Sequence, residues 1–153
     1  MPVNLSELFR YNAWANQRLI QSLSDQEVEE VSILRLTGHL FAAEHIWLHR
    51  IKALPPPPVA LWGECTLSAL HELASVDEEW VRIVENENDL AREVRYENMS
   101  GKSFSNRLDA IATHVAQHGS YHRGQIAILM RKQGFNPVDT DFIIWSRVIT
   151  GQL

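Results

Sequence analysis

Cysteine is nearly absent from the sequence, which has 153 residues and a single cysteine, Cys65. One cysteine cannot form a disulfide within the chain and cannot supply a cysteine-based zinc knuckle. Basic residues are also few, 14 against 19 acidic ones, and the net charge is −5. This acidic, unclustered balance argues against a protein that binds nucleic-acid phosphates. Any metal bound by the chain must therefore be held by imidazole nitrogen and carboxylate oxygen.

Long apolar runs are missing as well. No run approaches the ~20 residues that cross a bilayer, and residues 1–8 lack the basic and apolar segments of a signal peptide. We therefore expect a cytoplasmic protein that binds neither membrane nor nucleic acid. The composition, 45% apolar and 22% charged, is that of a globular chain, and its length suits one domain, residues 1–153.

Apolar periodicity predicts four long amphipathic helices. A proline run at 55–58 ends the second helix and predicts a stiff connection, with a polyproline ligand for a partner domain as the alternative. Apolar residues on both sides of a turn at Ser100 and Gly101 predict a small hairpin before the fourth helix. The pattern predicts an all-α four-helix bundle. The predicted helices cover residues 5–23, 32–54, 67–86 and 106–133, with a short final helix after a cap at Asp139 or Thr140.

Three of the seven histidines lie on successive turns of the fourth helix. Residues four apart face nearly the same side, so two such imidazoles can reach one metal ion at ~2.1 Å each. Three cannot, because ~12 Å of helix axis separates the outer two. At ~100° per residue, His122 lies about 30° from the centre of the buried face, His118 about 70° and His114 about 110°. The inward pair is therefore His118 and His122.

The third ligand must come from another helix. On the second helix, His39 lies about 80° from the centre of the buried face, whereas His45 and His49 lie about 160° from it and are interpreted as a solvent-exposed pair. We predict one site formed by His39, His118 and His122. Three neutral imidazoles with an open position are typical of catalytic zinc sites.

Two other interpretations stay open. The chain could be a non-catalytic metal-binding protein that acts through dimerisation, or a structural bundle whose histidines are core residues. Glu44 and Tyr121 are close to the site in sequence, but neither faces inward on the helical wheel, so no general base is identified. Gly119 interrupts the fourth helix, which a close helix contact, room for a ligand or ordinary tight packing would explain.

Four stretches of the chain carry a family resemblance. They are YNAWAN at 11–16, the segment from His39-Leu40 to Ile46–Ile51, HVAQHGSYHRGQI at 114–126, and Pro137 with TDFI at 140–143. Together they resemble the DinB-like family of metalloenzymes (DinB/YfiT-like), which is distinct from the DNA polymerase of similar name.

The resemblance implies an up-down-down-up bundle, often a homodimer, that holds a divalent metal at His39, His118 and His122. Zinc is the first expectation, with nickel, iron and manganese as alternatives. Family members of assigned chemistry include S-transferases and isomerases that use low-molecular-weight thiols. The implied activity is therefore a metal-dependent transferase acting on a small molecule, with a hydrolase as the alternative. The thiol would be borrowed, since the chain has only Cys65.

Three further residues are candidates for a substrate pocket: Trp14, Arg123 and Asp141. Trp14 also fits an ordinary core position, as aromatic residues at helical spacing usually do. Arg123 and Asp141 could instead form a structural ion pair between the fourth helix and the end of the chain.

Overall fold

The computed structural model describes residues 3–153, which form six helices and one two-stranded hairpin. Residues 1 and 2, part of the segment without a signal-peptide pattern, lie outside this range. The prediction of a mainly-α bundle is confirmed. The elements are α1 (Leu5–Asp25), α2 (Val31–Ile51), α3 (Leu67–Leu73), α4 (Val76–Asn86), β1 (Glu93–Glu97), β2 (Ser103–Arg107), α5 (Leu108–Lys132) and α6 (Phe142–Ile149).

The bundle is built around α1 and α2, each of which packs against α5 and against the α3–α4 segment. The core between these helices is apolar, and the rings of Phe9 and Trp80 stack in it with centroids 5.0 Å apart. Fully burying one large apolar side chain stabilises the fold by about 1.5–3 kcal/mol. Across residues 3–153, no helix has an apolar stretch long enough to span a membrane.

The prediction of one continuous third helix is wrong, because α3 and α4 are separate helices. In a continuous helix, the backbone N–H of Asp77 would donate to the carbonyl of Leu73. His45 Nε2 donates to that carbonyl instead, at 2.9 Å, and the N–H of Asp77 donates to the carbonyl of Ala74 at 3.1 Å. A residue of α2 therefore bonds to the carbonyl at which α3 ends, a contact that no local pattern in residues 67–86 predicts.

The predicted hairpin is confirmed, with antiparallel strands in which Tyr96 faces Phe104. Gly101 lies in the turn with a φ of +79°, a conformation that glycine adopts without steric cost. The second strand extends further than expected and includes Asn106. Helix α5 consequently begins at Leu108 and not at Asn106.

The connection between α2 and α3 folds back along α2. Helix α2 ends at Ile51, three residues earlier than predicted, and Ala53 takes a left-handed conformation with a φ of +53°. After the prolines, the chain passes close to the first half of α2, where a Cβ on Gly38 would lie only 3.0 Å from Cys65 Cβ. This return path brings residues 61 and 62 next to His39.

Candidate metal centre

Three histidines from two helices lie together inside the bundle. His39 on α2 and His122 on α5 are buried, and His118 on α5 is half-buried. One potential ligand atom from each lies within 4.8 Å of the other two. The ring centroid of His39 is 5.2 Å from that of His118 and 4.7 Å from that of His122. These three side chains could hold one metal ion.

Hydrogen bonds fix which nitrogen of each buried imidazole is free. His39 Nδ1 donates to the backbone carbonyl of Leu61 at 2.9 Å, and His122 Nδ1 donates to Gln125 Oε1 at 2.7 Å. Since a neutral imidazole has one N–H, Nε2 of both residues keeps its lone pair for a metal. The Nε2 atoms of His118 and His122 are 3.0 Å apart, and that of His122 accepts a hydrogen bond from that of His118, which a metal bound between them would replace. The donor set therefore fits a divalent metal that prefers imidazole nitrogen.

The protonation state of these histidines is also the one that metal binding requires. Burial, together with the neighbouring imidazole of His122, lowers the pKa of His118 to about 4. Burial also lowers the pKa of His39. Both rings are consequently neutral at pH 7, which is the form that binds a metal.

Sequence reasoning missed Trp62, which covers one face of the site. Its ring stacks on His39 with centroids 3.5 Å apart and an interplanar angle of 7°, and 48% of the residue remains exposed. Trp62 lies in an aperiodic segment after the prolines, so a single aromatic residue is its only signal. His114 lies outside the three-histidine cluster, with its ring against Trp47 at 5.5 Å and against His118 at 5.6 Å.

The pair His45 and His49 is not solvent-exposed as predicted. Both residues are half-buried, and each donates to a backbone carbonyl, His45 to that of Leu73 and His49 to that of Pro55. The spacing of four residues typical of metal ligands therefore serves two separate structural hydrogen bonds here.

A buried polar network crosses the bundle beside the histidines. Arg123 Nη1 on α5 donates to the side-chain oxygens of Asn12 and Asn16 on α1, both at 2.8 Å. The amide nitrogens of the same asparagines donate to Glu44 Oε1 on α2, at 2.9 and 3.2 Å. Asn16 also donates to Asp77 Oδ1 on α4 at 2.9 Å. We call these five residues the Asn–Arg network.

The prediction that Glu44 does not face inward is wrong, since only 1% of the residue is exposed. Helix α2 contacts neighbours on two sides, α5 on one and the α3–α4 segment on the other. Its buried arc is therefore wider than a single apolar stripe. Burial first, and then the charge of Glu44, raises the pKa of Asp77 well above its usual value. Glu44 Oε2 has no hydrogen-bond partner within residues 3–153.

The expected ion pair between Arg123 and Asp141 does not form among the described residues, because the Arg123 guanidinium is bound by the asparagines of α1. Both residues nevertheless line one cavity of about 390 Å³. Trp14 packs elsewhere, with its ring 6.3 Å from that of Tyr11 and with the Arg18 guanidinium 4.9 Å over it.

Gly119 lies on the face of α5 that packs against Asn12 of α1. A Cβ at this position would lie 2.6 Å from Asn12 Oδ1 and 2.9 Å from Arg123 Nη1. Real Cβ atoms almost never come this close, and both atoms are held by the hydrogen bond between them. Of the three explanations that the sequence left open, the structure favours a close helix contact.

We expect Gly119→Ala and Gly124→Ala to change stability in opposite directions. The first should lower the free energy of unfolding by about 1–3 kcal/mol through overpacking. At Gly124, on the same helix, a Cβ meets nothing within 4 Å. The second should therefore raise the free energy by up to ~1 kcal/mol, the usual gain of alanine over glycine in a helix. Urea unfolding followed by circular dichroism measures both, and equal shifts of the same sign would contradict the close contact.

Comparisons with known proteins place the chain among relatives in sequence. The sequence model of the DinB family matches residues 1–149, a range that includes the three histidines and the whole Asn–Arg network. The chain is also similar to a curated protein of Bacillus subtilis (strain 168) called "Protein DinB". The two are 22% identical over 154 residues, which cover 89% of this chain and 90% of that protein.

Proposed function

Because the chain belongs to the DinB family, we propose that it is a metalloenzyme with one divalent metal ion held by His39, His118 and His122. The observation that carries the proposal is the convergence of three imidazoles, two of which have Nδ1 committed to a fixed acceptor. Hydrogen bonds of this kind orient metal-binding histidines and set their tautomer. Zinc suits such ligands best, with nickel, iron and manganese as alternatives.

The proposed reaction is transfer of a small thiol to an electrophile. An ion on three imidazoles, when bound, lowers the pKa of a water or thiol at its open position. The chain's own thiol is a poor substitute, because burial raises the pKa of Cys65 and leaves less of the nucleophilic thiolate. In the proposed reaction, the borrowed sulfur bonds to an electrophilic carbon, the leaving group departs with its electron pair, and the thiol proton goes to solvent. Hydrolysis of a small substrate is the alternative reaction.

This chain's residues would position the reacting groups rather than take protons. Leu61 and Gln125 orient two imidazoles, and Trp62 shields one face of His39 from water. The carboxylate of Glu44 accepts hydrogen bonds from the asparagines of α1. Because these hydrogen bonds hold Glu44, it is not available as a general base. This favours a second candidate, a metal-binding protein without catalytic activity.

The test uses protein stripped with a chelator and then loaded with zinc or nickel. Loaded protein should conjugate cysteine or glutathione to chlorodinitrobenzene faster than the buffer does, and chelator or His122→Ala should abolish the excess rate. Loaded protein without an excess rate across thiols and electrophiles would overturn the transferase and leave the second candidate.

The remaining expectations stay predictions. They are the homodimer, the cytoplasmic location, and roles for Trp14, Arg123 and Asp141 at a substrate pocket. Helix α6 exposes three apolar side chains, those of Ile143, Val148 and Ile149.

A further inference from the structure

A second cavity, of about 520 Å³, lies between the last turns of α2, the proline segment and β1. We call it the Arg50 pocket. Its volume is within the range of small-molecule sites. Most of its walls are apolar, formed by Ile46, Leu54, Pro56, Pro57, Val59 and Met99.

The side chain of Arg50 lines this pocket, and no carboxylate of residues 3–153 pairs with its positive charge. Its guanidinium lies 4.5 Å from the ring centroid of Trp47 and 5.1 Å from that of Tyr96. Stacking on aromatic faces holds the group but uses none of its five N–H donors. Within residues 3–153, the half-buried Arg50 side chain has no hydrogen-bond or ion-pair partner. Burial also lowers the pKa of Arg50, and the neighbouring Tyr96 offsets part of this effect.

This combination separates Arg50 from the other arginines in the described part of the chain. Those whose side chains have neither a hydrogen-bond partner nor an ion-pair partner are exposed to solvent, which hydrates them. The exposed ones are Arg82, Arg95, Arg131 and Arg147. A half-buried guanidinium whose donors no protein group occupies keeps them available for a ligand that accepts hydrogen bonds.

We propose that the Arg50 pocket binds the carboxylate of a small organic acid with an apolar body. The planar guanidinium pairs with a carboxylate through two parallel hydrogen bonds, and the apolar walls suit the remainder of the molecule. Arg95 adds a second positive charge at the rim, against one carboxylate, Glu97. The pocket lies at the C-terminal end of α2, where the helix dipole is negative, so a singly charged carboxylate is favoured over a doubly charged phosphate.

The Arg50 pocket is distinct from the candidate metal centre. Arg50 and His39 are eleven residues apart on one helix, which corresponds to about 16 Å along its axis. The rings of Trp47 and His114 are in contact with each other, and they lie between the Arg50 guanidinium and His118. The inference therefore does not rest on the proposed function, and metal-free protein tests it.

The experiment is a titration of isotope-labelled, metal-free protein with phenylpropionate and with its neutral amide, followed by NMR. We expect saturable shifts at the amides of Ile46, Ala53 and Met99, with the acid binding at least ~10-fold more tightly than the amide. Arg50→Met should remove this preference. Arg95→Met, at the rim, should keep most of it.

A fold control accompanies these variants. If Arg50→Met alters the hairpin resonances without ligand, Arg50→Lys replaces it, since lysine keeps the charge but lacks the paired donors. That variant should bind the acid several-fold more weakly than the unchanged protein. The proposal is overturned if neither probe binds, if the acid and amide bind equally, if the shifts map elsewhere, or if the preference survives the loss of Arg50.

Discussion

Replacing Arg123 by methionine is expected to lower the free energy of unfolding by about 3–5 kcal/mol, the usual cost of leaving a buried charge without its compensating charge. Only 5% of Arg123 is exposed. Its loss removes the donor that Asn12 and Asn16 share, and it leaves Glu44 without a positive charge inside the bundle. Methionine keeps most of the side-chain volume, so the loss reports the network and not a cavity. Urea unfolding followed by circular dichroism measures it.

Arg131→Met is the matched control, because Arg131 lies on the same helix and is exposed. Exposed substitutions usually change stability by less than ~0.5 kcal/mol. Adding Glu44→Gln to Arg123→Met should restore part of the lost stability, since the second change removes the unpaired negative charge. If Arg123→Met costs no more than Arg131→Met, the Asn–Arg network does not stabilise the fold as described.

The second large effect is expected on metal binding. A ligand that binds only the folded state at 100 times its dissociation constant adds about 2.7 kcal/mol of stability, or roughly 5–10 °C in Tm for a chain of this size. Zinc or nickel should raise the Tm of the unchanged protein by this amount. His122→Ala should keep its helical circular dichroism and lose the rise, because two imidazoles bind a metal much more weakly than three.

His114→Ala is the control that separates the two pairs of histidines on α5. Both His114–His118 and His118–His122 have the spacing of metal ligands, but only the second pair belongs to the cluster. The His114 variant should therefore keep the rise in Tm. A rise that disappears in His114→Ala and persists in His122→Ala would show that the wrong pair has been identified.

Local patterns in the sequence were sufficient for the three long helices α1, α2 and α5 and for the inward pair on α5. The 3.6-residue period of a helix fixes the direction of each side chain relative to its apolar face, so His118 and His122 could be distinguished from His114. The same period placed His39 on the shoulder of α2, where the structure brings it to the other two. The family resemblance is confirmed by the match over residues 1–149.

Features that depend on long-range contacts could not be predicted. Glu44 is buried because α2 has neighbours on two sides, and a wheel drawn for one helix has no information about a second neighbour. At the break between α3 and α4, the last carbonyl of α3 accepts a hydrogen bond from His45, a residue of α2. Trp62 reaches His39 only because the proline segment folds back along α2. The role of Gly119 likewise depends on a side chain more than 100 positions away in the sequence, Asn12.

The measurement that tests the metal centre most directly is the metal content of protein loaded with zinc or nickel and then dialysed. Elemental mass spectrometry should find about one equivalent per chain in the unchanged protein and in His114→Ala, and less than ~0.1 equivalent in His122→Ala. Two results would contradict the account. One is an unchanged protein that holds less than ~0.1 equivalent even after loading, and the other is a His122→Ala variant that holds as much metal as the unchanged chain.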